Sequence, residues 1–171
     1  PGMEGGTAMA DILFGDADPS GRLTFSWPER LEDSPVYELA TQDVDNVNYE
    51  DSLMVGYRYF DTKRVTPRYE FGYGLSYTTF AYSNLSVKQE TPYSQSPVTV
   101  TVDVTNTGKR AGDEVVQLYI RDKVSSVIAY ESVLRGFERI SLQPGETKTV
   151  SFVLLPEDLQ ILDRHMEWTV E

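Results

Sequence analysis

From Thr79 onward, apolar and polar residues alternate with a period of two, the spacing that sends successive side chains to opposite faces of a β-strand. The cleanest run is PVTVTVDVT (97–105). It puts Val98, Val100, Val102 and Val104 on one face and Thr99, Thr101, Asp103 and Thr105 on the other. EVVQLYIR turns Val116, Leu118 and Ile120 inward, and KTVSFVLL does the same with Val150, Phe152 and Leu154. RGFERISL lies between them, and HMEWTVE is expected as a last strand. The breaks carry turn chemistry: Asn106 and Gly108 in NTGK, Pro144 and Gly145 in QPGET, and a short turn or single helical turn at PEDL. Short strands separated by such signals predict an all-β sandwich with Val102 and Phe152 in its core.

The first 27 residues follow another pattern. Ala8, Met9, Ile12 and Leu13 recur at helical spacing, Thr7 is a candidate N-cap and Gly15 is placed to end the helix. ADPSGRL reads as a turn. RLTFSW then alternates Leu23, Phe25 and Trp27 as a short strand. Such an α/β unit is too small to bury its own apolar face and needs a partner sheet. Residues 28–66 are acidic and irregular, a long connection of the kind that is functional or packed along another surface. LMVGYRYF (53–60) interrupts it with aromatics after a glycine. The fold class expected is therefore mainly β, a sandwich preceded by an α/β remnant and a long irregular linker.

Composition narrows the function classes. Among 171 residues there are 27 Asp and Glu against 15 Lys and Arg, a formal net charge of −12. That argues against nucleic acid and against anionic membrane surfaces, and it suits a neutral ligand such as a carbohydrate. Eleven Tyr, seven Phe and two Trp fit a β core or a sugar-facing surface. The chain has no cysteine, which excludes zinc ribbons, redox motifs and a disulfide framework. No apolar run approaches a membrane span. A secreted or periplasmic location is expected. The opening Pro1-Gly2-Met3 looks like an internal cut, so the chain is expected to be a piece of a longer protein.

Candidate chemistry is sparse. His165 is the only histidine; it has no nucleophile motif near it and reads as a surface residue rather than a triad base. Glu50 and Asp51, beside Tyr49 and GYRYF, are the most site-like carboxylates, but an interface in which Arg58 pairs with an acidic neighbour explains them as well. Asp16 and Asp18 in GDADPSG faintly suggest a calcium loop, without its regular ligand set; a turn is the simpler reading. PGMEGG lacks the residues of a phosphate loop. Asn84-Leu85-Ser86 fits the N-glycosylation triplet, making Asn84 a candidate acceptor. No residue is assigned a catalytic, cofactor-binding or metal-binding role, and no cofactor is expected.

Three stretches together resemble one family. PGMEGGTAMADILFGDADPSGRLTFSWP is similar to the end of the α/β sandwich domain of glycoside hydrolase family 3. YEDSLMVGYRYFD and PRYEFGYGLSYTTF resemble the segment leaving that domain. VTNTGKRAGDEVVQLYIRD, LRGFERISLQPGETKTVSF and LDRHMEWTVE resemble the fibronectin type III-like (immunoglobulin-like) domain that ends many of these enzymes. The resemblance covers nearly the whole chain and divides it into residues 1–66, the end of the α/β domain with its exit linker, and residues 67–171, the sandwich.

It implies a retaining, exo-acting β-glycosidase without a cofactor, in most cases a β-glucosidase and in some a β-xylosidase, acting on oligosaccharides or aryl β-glycosides in carbohydrate catabolism. The two carboxyl groups of that mechanism are implied to lie in N-terminal domains or another chain. The family's further strand after a stretch like MEWTVE is expected to be missing here. The other reading, from a different class, is a stand-alone carbohydrate- or protein-binding sandwich. The orphan helix and strand at residues 1–27 speak against it. EFGYGLSYTTF (70–80) falls where the two units join. It is expected to be an aromatic seam with Phe71, Tyr73 and Tyr77 largely buried, rather than a platform of exposed, coplanar rings for sugar stacking.

Overall fold

A computed structural model describes residues 2–37, 53–89, 91, 96–127 and 129–170. Glu50 and Asp51 lie outside the described residues. The chain opens with helix α1 (Gly5–Phe14). It starts before Thr7, whose hydroxyl donates to the Glu4 carboxylate at 3.2 Å; Thr7 is thus inside the helix, not its cap. Gly15 ends it at φ 83°, a left-handed conformation that costs glycine little. Met9, Leu13 and Phe14 are exposed, so the apolar face has no cover among the described residues.

Residues 22–27 do not form the strand expected of them. They run beside residues 68–73 with a bend at Thr24 and Phe25, Leu23 N–H donating to Tyr73 O and Trp27 N–H to Tyr69 O, but only Trp27 and Tyr69 form a β-bridge. Phe25 and Trp27 are half exposed, and Ser26 on the opposite side is the buried residue. The alternation is that of a strand, yet without a neighbouring sheet to join the segment bends at Thr24 and Phe25 and becomes a loose ribbon. The irregular linker contains a helix that periodicity missed, α2 (Tyr57–Lys63), seated by buried Phe60 and closed by Arg64 at φ 56°. Seven residues offer barely two turns, too few to show a 3.6-residue pattern.

Five longer strands follow: β1 (Phe80–Gln89), β2 (Val98–Asn106), β3 (Gly112–Ile120), β4 (Val133–Leu142) and β5 (Thr147–Leu154). All pair antiparallel, β1-β2-β5 in one sheet and β3-β4 in the other. The core joins both sheets: Val104 from β2, Val116 from β3, Ile140 and Leu142 from β4 and Val150 from β5. That is a β-sandwich. Val102 and Phe152 are only partly buried and pack at the flank of this core. In β1 the register slips between Ser83 and Ser86, with Asn84 at φ 53°. This bulge explains the weak alternation of FAYSNLSVK. The end of the chain carries a 3-10 turn (Pro156–Leu159) and a two-residue pair, β6 (Ile161–Leu162) with β7 (Trp168–Thr169). HMEWTVE is therefore strand only at Trp168 and Thr169. His165 sits exposed in a turn where the Asp163 carboxylate accepts the N–H groups of His165 and Glu167.

Candidate functional site

The polar groups of the molecule converge where the N-terminal unit meets the sandwich. The seam 70–80 does hold the two together, but not by burying its tyrosines. Tyr73 and Tyr77 are 43% and 44% exposed, and only Phe71 tucks in, 4.8 Å from the Tyr57 ring. The corrected picture rests on backbone and small polar groups. On one side, Gly72 N–H donates to Leu23 O, and Asp18 accepts from the Ser76 hydroxyl at 2.9 Å and the Tyr77 N–H at 2.7 Å. Tyr77 also donates its hydroxyl to Ile12 O at the C-terminal end of α1. On the other side, Gln117 reaches Gly72 O and the Thr78 hydroxyl donates to Asn106. Gly72 stands at φ 80°, and a side chain there would collide with Gln117. Pattern reading weighs rings by their area; it does not see that a glycine-rich backbone bonds in both directions.

Asp16 and Asp18 part company: Asp16 is exposed, while Asp18 spends its carboxylate on the seam. The loop that bears them is held further by arginines of the sandwich. Arg110 donates to Gly15 O and stacks on Tyr77 at 5.3 Å, and Arg139 donates to the Ser20 hydroxyl at 2.8 Å. Arg22 pairs with Glu114 at 2.7 Å. None of these loop contacts was visible in sequence, where the partners lie as many as 119 positions apart. Asn84 is exposed on the bulge, with its Nδ2 donating to Asp103 at 2.8 Å.

Beside the seam lies a cleft of about 430 Å³ whose walls include Tyr57, Glu70, Tyr73, Tyr82, Glu114 and Tyr119. Its polar atoms are largely occupied with one another. Tyr82 donates to Glu114, Tyr119 donates to Gln117, and the Tyr57 oxygen accepts the Leu134 N–H. Burial, with smaller contributions from Tyr57, Asp61 and Glu70, pushes the Tyr119 hydroxyl up to about 12. Burial and the Glu114 carboxylate push Tyr82 up as well. Both phenols thus stay protonated donors at neutral pH, and Glu114, bound to a cation and a phenol, is an anchored carboxylate. Arg58 does not pair with a carboxylate among the described residues; it lies over the Tyr57 and Tyr130 rings. The arrangement is built to hold surfaces together.

The profile of the glycosyl hydrolase family 3 C-terminal domain matches residues 1–77, and that of the fibronectin type III-like domain matches residues 114–171. The chain belongs to glycoside hydrolase family 3. This family 3 chain is 46% identical over 167 residues to thermostable β-glucosidase B of Acetivibrio thermocellus, covering 95% of this chain and 22% of that protein. It is 45% identical over 170 residues to a β-xylosidase of Formosa agariphila, covering 99% and 22%. Among solved structures, β-glucosidase 3B from Thermotoga neapolitana superposes with a TM-score of 0.91 at 40% identity, over 99% of this chain and 24% of that one. The family 3 chain thus spans about a fifth of the length of the curated relatives it matches. Since the superposition covers both the N-terminal unit and the sandwich, their mutual orientation is shared as well.

Proposed function

We propose that this chain is the C-terminal structural portion of a retaining, exo-acting β-glycosidase that hydrolyses terminal β-D-glucosides. Residues 1–66 would end its α/β domain, and residues 67–171 would form its sandwich. The observation that carries the reading is the likeness to β-glucosidases along nearly the whole chain, N-terminal unit and sandwich in one arrangement. The exposed apolar face of α1 and the half-exposed Phe25 and Trp27 fit a unit completed by further protein, not a free binding module.

A retaining enzyme needs two carboxyl groups about 5–5.5 Å apart across the scissile bond, and no cofactor. The best-placed described carboxylate, Glu114, is already tied to Arg22 and Tyr82. The catalytic pair is accordingly assigned to the rest of the enzyme, or to another chain that supplies it. The similar identity to a β-xylosidase keeps the xyloside reading as the second one, because this portion does not distinguish the sugars.

The test compares p-nitrophenyl β-glucoside and β-xyloside as substrates for the enzyme that carries this portion and for the 171-residue chain alone. Turnover is expected from the first, faster on the glucoside, and none above buffer from the second. Activity of the isolated chain that disappears on replacing Glu50 or Asp51 would overturn the assignment.

A further inference from the structure

One largely buried ion pair links the loop after α1 to strand β3, and its surroundings leave it a single seating. Arg22 Nη2 lies 2.7 Å from Glu114 Oε2, with 14% and 15% of the two side chains exposed. The second carboxylate oxygen accepts the Tyr82 hydroxyl from β1 at 2.8 Å. The guanidinium also donates through Nη1 to the carbonyls of Ser20 and Gly21, each at 3.2 Å. A side chain on Gly74 would stand 2.4 Å from Gly21 O and 2.5 Å from Arg22 Nη1. The second glycine of the seam is therefore the space in which Arg22 lies.

Charge-assisted hydrogen bonds are short and directional. In a half-dry setting, separating the partners strands a charge. The contact thus fixes a distance, not only an attraction. Arg139 on Ser20 and Arg110 on Gly15 pin the same loop at two further points. These contacts are directional hydrogen bonds, so they add a fixed bond geometry to the ring packing of Tyr57 against Phe71 and Tyr119.

We propose that Arg22, Glu114 and Tyr82 are positioning residues. Through them the sandwich sets the angle of the N-terminal unit, and so the geometry of the glycoside-cleaving site in the domain to which that unit belongs. The proposal rests on the β-glycosidase reading above.

The experiment measures kcat and KM for p-nitrophenyl β-glucoside in the whole enzyme, with Glu114→Asp as the main variant. This change keeps the charge and withdraws the carboxylate by one methylene, about 1.5 Å. Expected is a loss of about tenfold in kcat, with KM within about twofold, since a displacement of this size is costly at a reacting centre. Gly74→Ala should do the same by pressing on Arg22 from the other side. Tyr82→Phe removes one bond without moving the pair; its smaller loss in kcat keeps the test alive if the other variants fold poorly. Leu154→Val, a core change on β5 opposite Val98 and at the other end of β2 from Tyr82's partner Val104, controls for destabilisation: it should lower the melting temperature and leave kcat alone. Unchanged kcat in Glu114→Asp and Gly74→Ala, or a loss matched by Leu154→Val, would overturn the proposal. If the unaltered enzyme cleaves no β-glycoside, the functional reading fails instead. Amide hydrogen exchange at residues 15–22 and 71–74 then decides: faster exchange in Glu114→Asp supports the fixed angle, and unchanged exchange overturns it.

Discussion

The hydroxyl of Thr78 donates to Asn106 Oδ1 at 2.6 Å, and both residues are buried. Asn106 is wholly enclosed at the end of β2. Its Oδ1 also accepts the Gly108 N–H, and its Nδ2 donates to the carbonyls of Arg110 and Leu142. One side chain therefore ties the seam, the β2–β3 turn and the end of β4 together.

Asn106→Leu keeps the bulk and orphans every one of those partners. Each unsatisfied buried group costs about 1–3 kcal/mol, so the variant should lose about 3 kcal/mol or more. The urea midpoint of the isolated chain reads this directly. A loss under about 1 kcal/mol would mean that water reaches the groups.

The core makes a graded prediction. Leu142 is 1% exposed, whereas Phe152 lies at the core's edge and lines an apolar cavity with Val100 and Val102. Leu142→Ala should cost about 3–5 kcal/mol and Phe152→Ala about 2–3 kcal/mol, although phenylalanine is the larger residue, because the penalty follows how tightly the removed atoms were packed. The reverse order in denaturant melts would place the centre of the core beside Phe152.

Among the described residues, three carboxylates have their pKa held below the usual range. Asp103 does so through hydrogen bonds from Asn84 and Thr149. In Asp113 the hydrogen bond to Ser141 and the charge of Arg139 outweigh burial, and in Glu146 the Gln143 N–H leads. A depressed carboxylate binds protons more weakly in the folded chain than in the unfolded one. Its stabilisation is therefore present above the unfolded value, about 4, and fades as pH falls through the lower folded value. Melting temperature should be flat near neutrality and drop below about pH 4. For Asp103→Asn, the gap from the unaltered chain should narrow between pH 7 and pH 3. A gap constant with pH would assign the difference to packing alone.

What could be read from the sequence divides along physical lines. The period-two runs gave β2, β3 and β5 because each buries one face, and burial is what alternation records. Asn106 was visible only as a turn former: composition identifies a residue that suits a turn, not one whose amide is enclosed by four partners. Helix α2 was too short to show a period, and the ribbon at 22–27 had the alternation of a strand without a sheet to join. The contacts of Asp18, Arg22 and Arg139 depend on how the N-terminal unit folds back on the sandwich, which no local pattern encodes.

That geometry makes a last prediction about the seam. The Tyr73 ring is 43% exposed and stands at 40° to Tyr69, neither enclosed nor coplanar with it as a sugar platform would require. Its backbone does the joining, since Leu23 N–H donates to Tyr73 O whatever the side chain. Tyr73→Ala should therefore leave the junction tight. Asp18→Ala removes the acceptor of the Ser76 hydroxyl and the Tyr77 N–H, and leaves that N–H without a side-chain partner. It should loosen the junction while the sandwich stays folded. Trypsin reports the difference at exposed Arg64 and Arg68: faster nicking in Asp18→Ala, unchanged nicking in Tyr73→Ala, and one shared melting temperature for the sandwich. Equal acceleration in both variants would return the seam to its aromatic rings, and loss of oligosaccharide binding in Tyr73→Ala alone would make the ring a sugar contact after all.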